Sequence, residues 1–562
     1  MKFSEMKYSR PDMAELKAIS EKTAEALKNA ENAEQARAAY DEFDKAASGF
    51  STMYTLTMIR NSIDTTDSFY EEETAFFDEH SPEFSEYIQN VNKALAESRF
   101  RPELEKLFGS LMFKNIDIAL KAFSPEIIPE LQEENKLTTE YRKLIASAQI
   151  PFKDETLTLS QLTPYKQSAD DDIRHEAWAV ESGFYSSKAE ELDTIYDKLT
   201  ALRDKMARKM GYENYVTLGY YNMMRNDYTK KDIESFRENV VKYVFPIADR
   251  LYREQAERTG VRYPLQYSDT PLRFRSGNAV PKGSAEDILA AGRKFYTELS
   301  PETAEFIGFM FDNELMDVLS RKGKAAGGFC TDIPDYKSQF IFANFNGTAG
   351  DVEVITHEAG HAFAGYTARD IYPSDNRSPT MESCEIHSMS MEFFAWKWAE
   401  DFFGDDADKF RYQHLGDALK FIPYGTMVDH FQHIVYENPS LTPEERHAEW
   451  RRLTGVYMPW IDLDGSPFYG EGRAWQRQIH IYENPFYYID YCLAQTAALR
   501  FWALMQEDYS EAWERYMKLV RCGGTKTYSG LIAEAGFESP FGSDALKSIA
   551  EAAEKWLAAH KI

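Results

Sequence analysis

Two histidines one helical turn apart are the residues of this sequence best suited to metal chemistry. They are His357 and His361 in "THEAGHAFAGY" (residues 356–366), with Glu358 beside the first. On a helix such a pair has Cβ atoms roughly 5–6 Å apart on one face, so both imidazoles can bind one zinc ion. Glu358 is turned by about 100° from His357, which suits contact with a water molecule better than metal ligation. The pattern predicts two zinc ligands and a general base.

The same helix does not supply a third ligand. Zinc proteases of the metzincin type extend the motif with a glycine and a third histidine, where this chain has Ala364 and Thr367. That class is therefore excluded. A catalytic zinc site needs three protein ligands and one open position, so another element must contribute.

The segment 378–400, "SPTMESCEIHSMSMEFFAWKWAE", is a predicted helix that offers three carboxylates. Glu382, Glu385 and Glu392 are spaced closely enough to share one face, among Met, Phe and Trp positions. Buried carboxylates in such surroundings are costly unless they are paired or bind a metal. Glu382 is equally well explained by its place at the helix start, where the helix dipole favours an acidic residue. The residues alone leave Glu382 and Glu385 both open as the third ligand.

A tyrosine-rich segment follows at 479–491, "IHIYENPFYYIDY". Tyr488 and Tyr491 fall on one face of a predicted helix, and tyrosine hydroxyls can stabilise the oxyanion that forms during peptide hydrolysis. Aromatic residues at helical spacing are, however, more often packing residues. We assign Tyr482 and Tyr487 to packing.

The elements that must position these residues are mostly helical. Apolar positions at helical spacing, among many Ala, Glu and Lys residues, predict helices in the first half of the chain, in 11–48, 69–147 and 169–255. Residues 258–284 are rich in Pro, Gly and Ser and predict an irregular segment. "SQFIFANF" (338–345) predicts a strand just before the helix of the two histidines, at about 348–370. We expect a mainly α protein with a small β-sheet beside that helix.

Composition excludes several functional classes. The chain has 562 residues and a net charge of −28, which argues against a nucleic-acid-binding surface. Its four cysteines form no C-x-x-C pair, which is typical of a reducing compartment. There is no signal-peptide pattern, and no apolar run approaches a membrane span. We expect a cytoplasmic protein that binds neither nucleic acid nor a membrane.

The pattern "FNGTAGDVEVITHEAGHAFAGY" followed by "ESCEIHSMSMEFF" resembles the thimet oligopeptidase and oligoendopeptidase F family of zinc metallopeptidases. "RDKMARKMGYENYVTLGYYNMMRNDYT" and "GGTKTYSGLIAEAGFESPFGSDALKSIAE" are similar to the oligoendopeptidase F (Pz-peptidase-like) branch. The resemblance implies a two-lobed helical metallopeptidase with a deep central channel. It assigns residues 1–190 to an N-terminal helical lobe and 191–562 to the catalytic region.

The resemblance also implies roles for single residues. In the family a Glu-x-x-Ser-x-x-x-Glu pattern begins with the third zinc ligand, which here is Glu385, and ends with Glu392, which would bind a ligating histidine. His480, Tyr488 and Tyr491 would hold the substrate oxyanion.

The implied activity is the hydrolysis of internal bonds in short peptides, with one zinc ion per chain. Zinc would acidify a water and polarise the scissile carbonyl, and Glu358 would be the general base and acid. The strand 338–345 would pair with the extended substrate at its edge. Two alternatives are a zinc carboxydipeptidase or other exopeptidase on a similar helical fold, and a non-catalytic peptide-binding protein. The oligomeric state is not specified by the sequence.

Overall fold

Helices dominate the computed structural model, which describes residues 1–321, 323–325, 327–463 and 465–562. The prediction of a mainly α fold with a small sheet beside the two-histidine helix is confirmed. The helices of the first half are α1 (Met13–Asn29), α2 (Ala33–Ile63), α3 (Ser68–Ala96), α4 (Arg101–Phe108), α5 (Ser110–Ala122), α6 (Ile128–Ala146), α7 (Leu159–Lys166), α8 (Asp171–Lys209), α9 (Tyr215–Asn222), α10 (Lys230–Asn239) and α11 (Phe245–Thr259).

The second half continues in the same way after the irregular stretch that the Pro, Gly and Ser residues predict. Its helices are α12 (Ala285–Leu299), α13 (Pro301–Asp312), α14 (Ala349–Ala368), α15 (Met381–Phe394), α16 (Ala399–Phe403), α17 (Ala407–Glu437), α18 (Pro443–Tyr457), α19 (Ile479–Glu483), α20 (Tyr488–Glu507), α21 (Tyr509–Val520), α22 (Tyr528–Glu534) and α23 (Lys547–Ala559). No helix in the described part of the chain combines the length and the apolar character that a membrane span requires.

The division at residue 190 stays a prediction, and α8 is continuous through that position. Hydrophobic side chains form several clusters of buried residues. The largest contains side chains of α14, α15, α17 and α20 together with those of the three-stranded sheet. The elements that carry the predicted site residues therefore share one core.

The strands form three small sheets. They are β1 (Ile150–Phe152), β2 (Glu155–Leu157), β3 (Leu265–Gln266), β4 (Met316–Leu319), β5 (Phe329–Ile333), β6 (Ser338–Phe345) and β7 (Ile461–Asp462). β1 pairs with β2 in antiparallel fashion, and β3 pairs with β7 in parallel. The third sheet has the order β4-β6-β5, in which β6 is parallel to β4 and antiparallel to β5.

The predicted strand 338–345 is confirmed as β6, but its predicted role at the sheet edge is wrong. β6 lies between β4, which pairs with it from residue 341 to 345, and β5, which pairs with it from residue 338 to 342, so it is the central strand of the sheet. β4 and β5 are the edge strands, and β5 has no second partner strand among the described residues. The sequence did not indicate β5, because it follows a glycine-rich stretch that is more typical of a turn.

A close approach of two helices depends on a glycine inside the two-histidine motif. A Cβ added at Gly360 of α14 would lie 2.9 Å from the Cα of Ser388 and 3.0 Å from the Cβ of Met391, both on α15. One is a backbone atom and the other is the side-chain atom bonded directly to the backbone, so neither can move aside as the end of a flexible side chain would. The lack of a side chain at Gly360 therefore lets α15 pack directly on α14.

We expect Gly360→Ala to destabilise the protein by about 1–3 kcal/mol, because the added methyl overpacks this contact. Gly183 is the matched control: it is inside α8 with no atom within 4 Å of an added Cβ. Gly183→Ala should stabilise the protein by roughly 0.5–1 kcal/mol through helix propensity. Denaturant unfolding of both variants measures the difference, and equal effects would contradict the packing argument.

Candidate active site

Three potential metal ligands converge where α15 crosses α14. They are His357 and His361 of α14 and Glu385 of α15, whose ligand atoms all lie within 4.8 Å of one another. Glu385 Oε2 is 3.3 Å from His357 Nε2 and 3.3 Å from His361 Nε2. Tetrahedral donors at roughly 2.0–2.1 Å from zinc would themselves be about 3.3–3.4 Å apart. The donor set and its spacing therefore fit a zinc site with two nitrogen ligands and one oxygen ligand.

Between the two acidic residues that the sequence left open, the structure brings only Glu385 to the histidines. Glu385 is 4% exposed, and burial alone would raise its pKa, but the neighbouring His361 and His357 lower that pKa well below its usual range. Glu382 is buried elsewhere, with one oxygen 3.7 Å from a guanidinium nitrogen of Arg225. Glu382 is about 4.5 Å nearer the start of α15 than Glu385, and at that level its side chain meets Arg225.

Two hydroxyl groups hold the Glu385 carboxylate in place. The Tyr487 hydroxyl donates to Oε1 at 2.8 Å, and the Ser388 hydroxyl donates to Oε2 at 3.0 Å. The assignment of Tyr487 to packing was therefore wrong, since its hydroxyl contacts the candidate metal ligand. The spacing contained a usable signal: Tyr487 and Tyr491 are one helical turn apart, and their ring centroids are 4.9 Å apart.

Glu392 contacts the first histidine from behind. Its Oε1 is 2.6 Å from His357 Nδ1, which leaves Nε2 of that ring facing Glu385. The other carboxylate oxygen is 2.7 Å from His414 Nε2. Burial would raise the pKa of Glu392, but the hydrogen bonds to His357 and His414 hold it at about 2. An ionised carboxylate here fixes the tautomer of His357.

The contacts continue to a tryptophan that sequence reasoning missed. Trp396 Nε1, which can only donate, lies 2.8 Å from His414 Nδ1. His414 Nδ1 must therefore accept, and its proton is on Nε2, where it donates to Glu392. The only sequence signal was the spacing of Glu392 and Trp396, which are four residues apart. His414, on the distant α17, had none.

Glu358 faces the cavity beside the three candidate metal ligands. It lines a cavity of about 490 Å³ together with the three candidate ligands, residues of β5 and the side chains of Tyr487 and Tyr491. Its carboxylate makes no hydrogen bond to the described residues. A partly exposed carboxylate at this position can accept a proton from a molecule bound in the cavity.

The predicted pair Tyr488 and Tyr491 shares one cavity, but only Tyr491 also lines the cavity of the three candidate metal ligands. The shared cavity is a neighbouring one, which Glu353, Glu392 and His414 also line. Tyr488 packs against the ring of His480, with centroids 5.1 Å apart. The prediction that Tyr482 is a packing residue is confirmed: it is fully buried and stacks on Tyr141 with centroids 4.0 Å apart.

His480 is held in one tautomer by its neighbours. Tyr424 donates to Gln478 Oε1 at 2.9 Å, so the Gln478 amide nitrogen is the group 2.9 Å from His480 Nδ1. His480 Nδ1 therefore accepts, and Nε2–H donates to the Tyr491 oxygen at 3.3 Å. Burial lowers the pKa of His480 to about 4, so the ring is neutral near pH 7. The Tyr491 oxygen accepts this bond, so His480 does not use the Tyr491 hydroxyl proton.

Comparison with known proteins relates this arrangement to peptidases. Residues 3–123 match the family described as Peptidase M3 N-terminal domain, and residues 305–551 match Peptidase family M3. The oligoendopeptidase F homolog of Borreliella burgdorferi is 23% identical over 427 residues, which cover 70% of this chain and 69% of that protein.

Two solved structures are similar over their full length. Pz peptidase A with an inhibitor is 46% identical, with a TM-score of 0.96 and 99% of each chain covered. A Bacillus anthracis protein assigned as oligoendopeptidase F is 43% identical, with a TM-score of 0.92, and the match covers 100% of this chain and 99% of that chain.

The contact between Glu392 and His357 leads to a metal-affinity prediction. We expect Glu392→Gln to weaken zinc binding about 10–100-fold, because a neutral amide orients and polarises the imidazole less well. Glu353→Gln is the control for replacing a carboxyl group in the same cavity, since Glu353 lines that cavity with Glu392 but makes no side-chain hydrogen bond to a described residue. Competition with a chromophoric chelator measures both affinities. Unchanged binding in the Glu392 variant would refute the role of this contact.

Proposed function

Since this chain belongs to peptidase family M3 and is a metallopeptidase, we propose that it is a zinc-dependent endopeptidase that hydrolyses internal bonds of short peptides. The observation that carries the proposal is the convergence of His357, His361 and Glu385 on one side of a cavity that Glu358 also lines. These residue types at this spacing match a zinc site with one open position. The peptide-cleaving names of the similar structures support the same reaction.

His357, His361 and Glu385 would hold the metal, and Glu392 would keep Nε2 of His357 directed at it. A zinc ion bound there supplies electrophilic polarisation of the peptide carbonyl and lowers the pKa of a water. The chain itself contributes the fixed ligand geometry, because Glu385 is already held by Tyr487 and Ser388. Little reorganisation is then needed when a substrate binds.

Glu358 is the proposed general base and acid. Its carboxylate takes a proton from the water that attacks the scissile carbonyl carbon, and the same proton passes to the leaving amine nitrogen as the C–N bond breaks. The partly exposed position of Glu358 on the cavity wall allows both transfers without a change of helix conformation.

Tyr491 and His480 are the proposed partners of the substrate oxyanion. His480 donates to the oxygen of Tyr491 and so directs the phenol proton away from itself, toward the cavity. A donor that is already oriented stabilises the negative oxygen more strongly than one that must first turn. Tyr488, which lines the neighbouring cavity and packs on His480, is assigned to supporting that ring.

The extended substrate would bind along β5. This strand lines the cavity of the three candidate metal ligands, and its outer edge has no partner strand among the described residues. Backbone hydrogen bonds to such an edge bind peptides of many sequences, because they do not depend on side chains. A folded protein cannot supply a free extended segment there, so short peptides are the proposed substrates.

Two substitutions in α14 separate chemistry from metal binding. Glu358→Gln should retain zinc and lose about 10²–10⁴-fold in kcat, because proton transfer is removed. His361→Ala should lose the zinc itself. Zinc content by mass spectrometry and cleavage of a peptide blocked at both ends measure the two effects. Normal turnover by the Glu358 variant would refute the proposal, and so would a failure to cleave blocked peptides by the zinc-loaded wild type.

Three tyrosine variants test the proposed division of roles. Tyr491→Phe should lower kcat by about 10²–10³-fold with little change in KM, since its donor acts on charge that develops in the transition state. Tyr488→Phe should change kcat much less. Tyr487→Phe should weaken zinc binding, because Glu385 loses a hydrogen bond. If the Tyr488 variant is the slowest of the three, the assignment of Tyr491 is wrong.

A further inference from the structure

A positively charged cavity lies inside this strongly acidic protein. Its volume is about 260 Å³, and Lys166, Arg273 and Arg477 line it together with the aromatic side chains Trp178 and Tyr252. The three cations come from α7, from the irregular stretch before α12 and from the 3₁₀ helix Ala474–Arg477. We call this space the basic cavity. Three separate segments are needed to form it, so it is a product of the tertiary fold.

The basic cavity has more cations than the chain neutralises. Glu181 serves two of them: it accepts a hydrogen bond from Lys166, and its Oε1 lies 3.3 Å from Arg477 Nη2. Asp417 serves the third, accepting from Arg273 Nε at 2.7 Å. Two carboxylates thus face three cations. The buried Nε of Arg477 has no hydrogen-bond partner among the described residues.

The excess charge affects the buried lysine. Lys166 is 9% exposed, and burial, together with repulsion by Arg477, lowers its pKa to about 8 in spite of the contact with Glu181. Its ammonium lies 4.4 Å from the centroid of the Trp178 ring, which adds a weak attraction but no negative charge. An anion in the cavity would offset the cost of holding these cations together.

Two of the cations in the basic cavity are linked to residues of the neighbouring cavity. Arg477 and His480 belong to one short segment, so their Cα atoms are at most about 11 Å apart, the extended length of three residues. Asp417, the partner of Arg273, lines the neighbouring cavity together with Tyr491 and His480. The cavity of the metal cluster and the basic cavity share no lining residue. A group bound in the basic cavity therefore does not contact the three candidate metal ligands directly.

We propose that the basic cavity binds a carboxylate of the peptide substrate, namely its C-terminal carboxylate, with Arg477 and Arg273 as the main contacts. The proposal rests on the proposed peptidase function and adds a specificity determinant to it. Guanidinium groups suit this ligand because they donate two parallel hydrogen bonds to a carboxylate. Because the basic cavity shares no lining residue with the cavity of the candidate metal ligands, a terminus held there leaves residues of the peptide between it and the scissile bond. Cleavage then remains internal but depends on distance from the C-terminus.

The test uses two N-acetylated peptides of one sequence without Asp or Glu, one with a free C-terminal carboxylate and one with an amide. With the zinc-loaded wild type we expect amidation to raise KM about tenfold with little change in kcat, because a charged contact of ground state and transition state is lost. Equal KM values for acid and amide would overturn the proposal. Internal cleavage of the amidated peptide would still support the proposed function, so the two can fail separately.

Variants of the two arginines test whether the difference in KM between acid and amide arises in the basic cavity. Arg477→Gln and Arg273→Gln should each reduce the difference between acid and amide to less than about twofold, whereas Arg477→Lys should keep part of it. The control is Arg208→Gln, because Arg208 is an exposed arginine that pairs with Asp204 on α8. It should keep the full difference. Thermal unfolding establishes that each variant folds, and two independent arginines keep the test available if one variant does not.

A third peptide distinguishes the source of the carboxylate. It carries a Glu at its last position and a C-terminal amide. We expect it to bind as weakly as the other amide, because the side chain moves the charge away from the end of the backbone. If it matches the free acid in the wild type but not in Arg477→Gln, the cavity recognises an acidic side chain, and the C-terminal assignment is overturned. A full acid–amide difference in both Gln variants would also overturn the proposal.

Discussion

The direct packing of α15 on α14 is the contact on which the candidate site depends. Gly360 lies between the two histidines and provides the space for it, since any side chain there would meet the backbone of α15 at Ser388. The approach brings Glu385 Oε2 to 3.3 Å from both imidazoles, the separation that tetrahedral zinc ligands require. A helix interior normally disfavours glycine by about 1 kcal/mol relative to alanine. Here that cost is accepted at a position where an added Cβ would force α15 to shift away from α14.

Buried polar contacts then fix each ligand from a different direction. Glu392, His414 and Trp396 form one chain of hydrogen bonds behind His357, and the direction of each bond follows from the indole N–H at its end. Tyr487, the residue just before α20, holds Glu385. Buried Arg225 connects α20 with α15. It forms an ion pair with Asp490 of α20 and lies 3.7 Å from Glu382 of α15. Burial raises the pKa of both carboxylates, which a single arginine cannot fully compensate.

Charge is distributed unevenly between the surface and the interior. The chain carries a net charge of −28, yet the basic cavity near His480 holds three cations against two carboxylates. A negative surface keeps the protein dispersed and repels anionic polymers. The interior cations act at short range, where the low dielectric strengthens their attraction for a carboxylate. The net charge of the chain therefore indicates how the protein surface interacts with other molecules in solution, but it does not indicate which ligands its cavities bind.

The sequence by itself determined the local elements and the chemistry within each of them. The helical pattern, the strand 338–345 and the shared face of His357 and His361 follow from periodicity, which is a property of neighbouring residues. Residue types alone could not choose between Glu382 and Glu385, and the choice depended on family resemblance.

Only the tertiary structure decided which groups meet across elements. It put β6 in the centre of its sheet and turned Tyr487 rather than Tyr488 toward the candidate metal ligands. It also brought His414 to Glu392 and placed Lys166, Arg273 and Arg477 around one cavity. These contacts join residues that are far apart in the chain, and single-sequence periodicity carries no information about such distances. The physical reason is that packing of the shared core, rather than local propensity, sets how the helices approach one another.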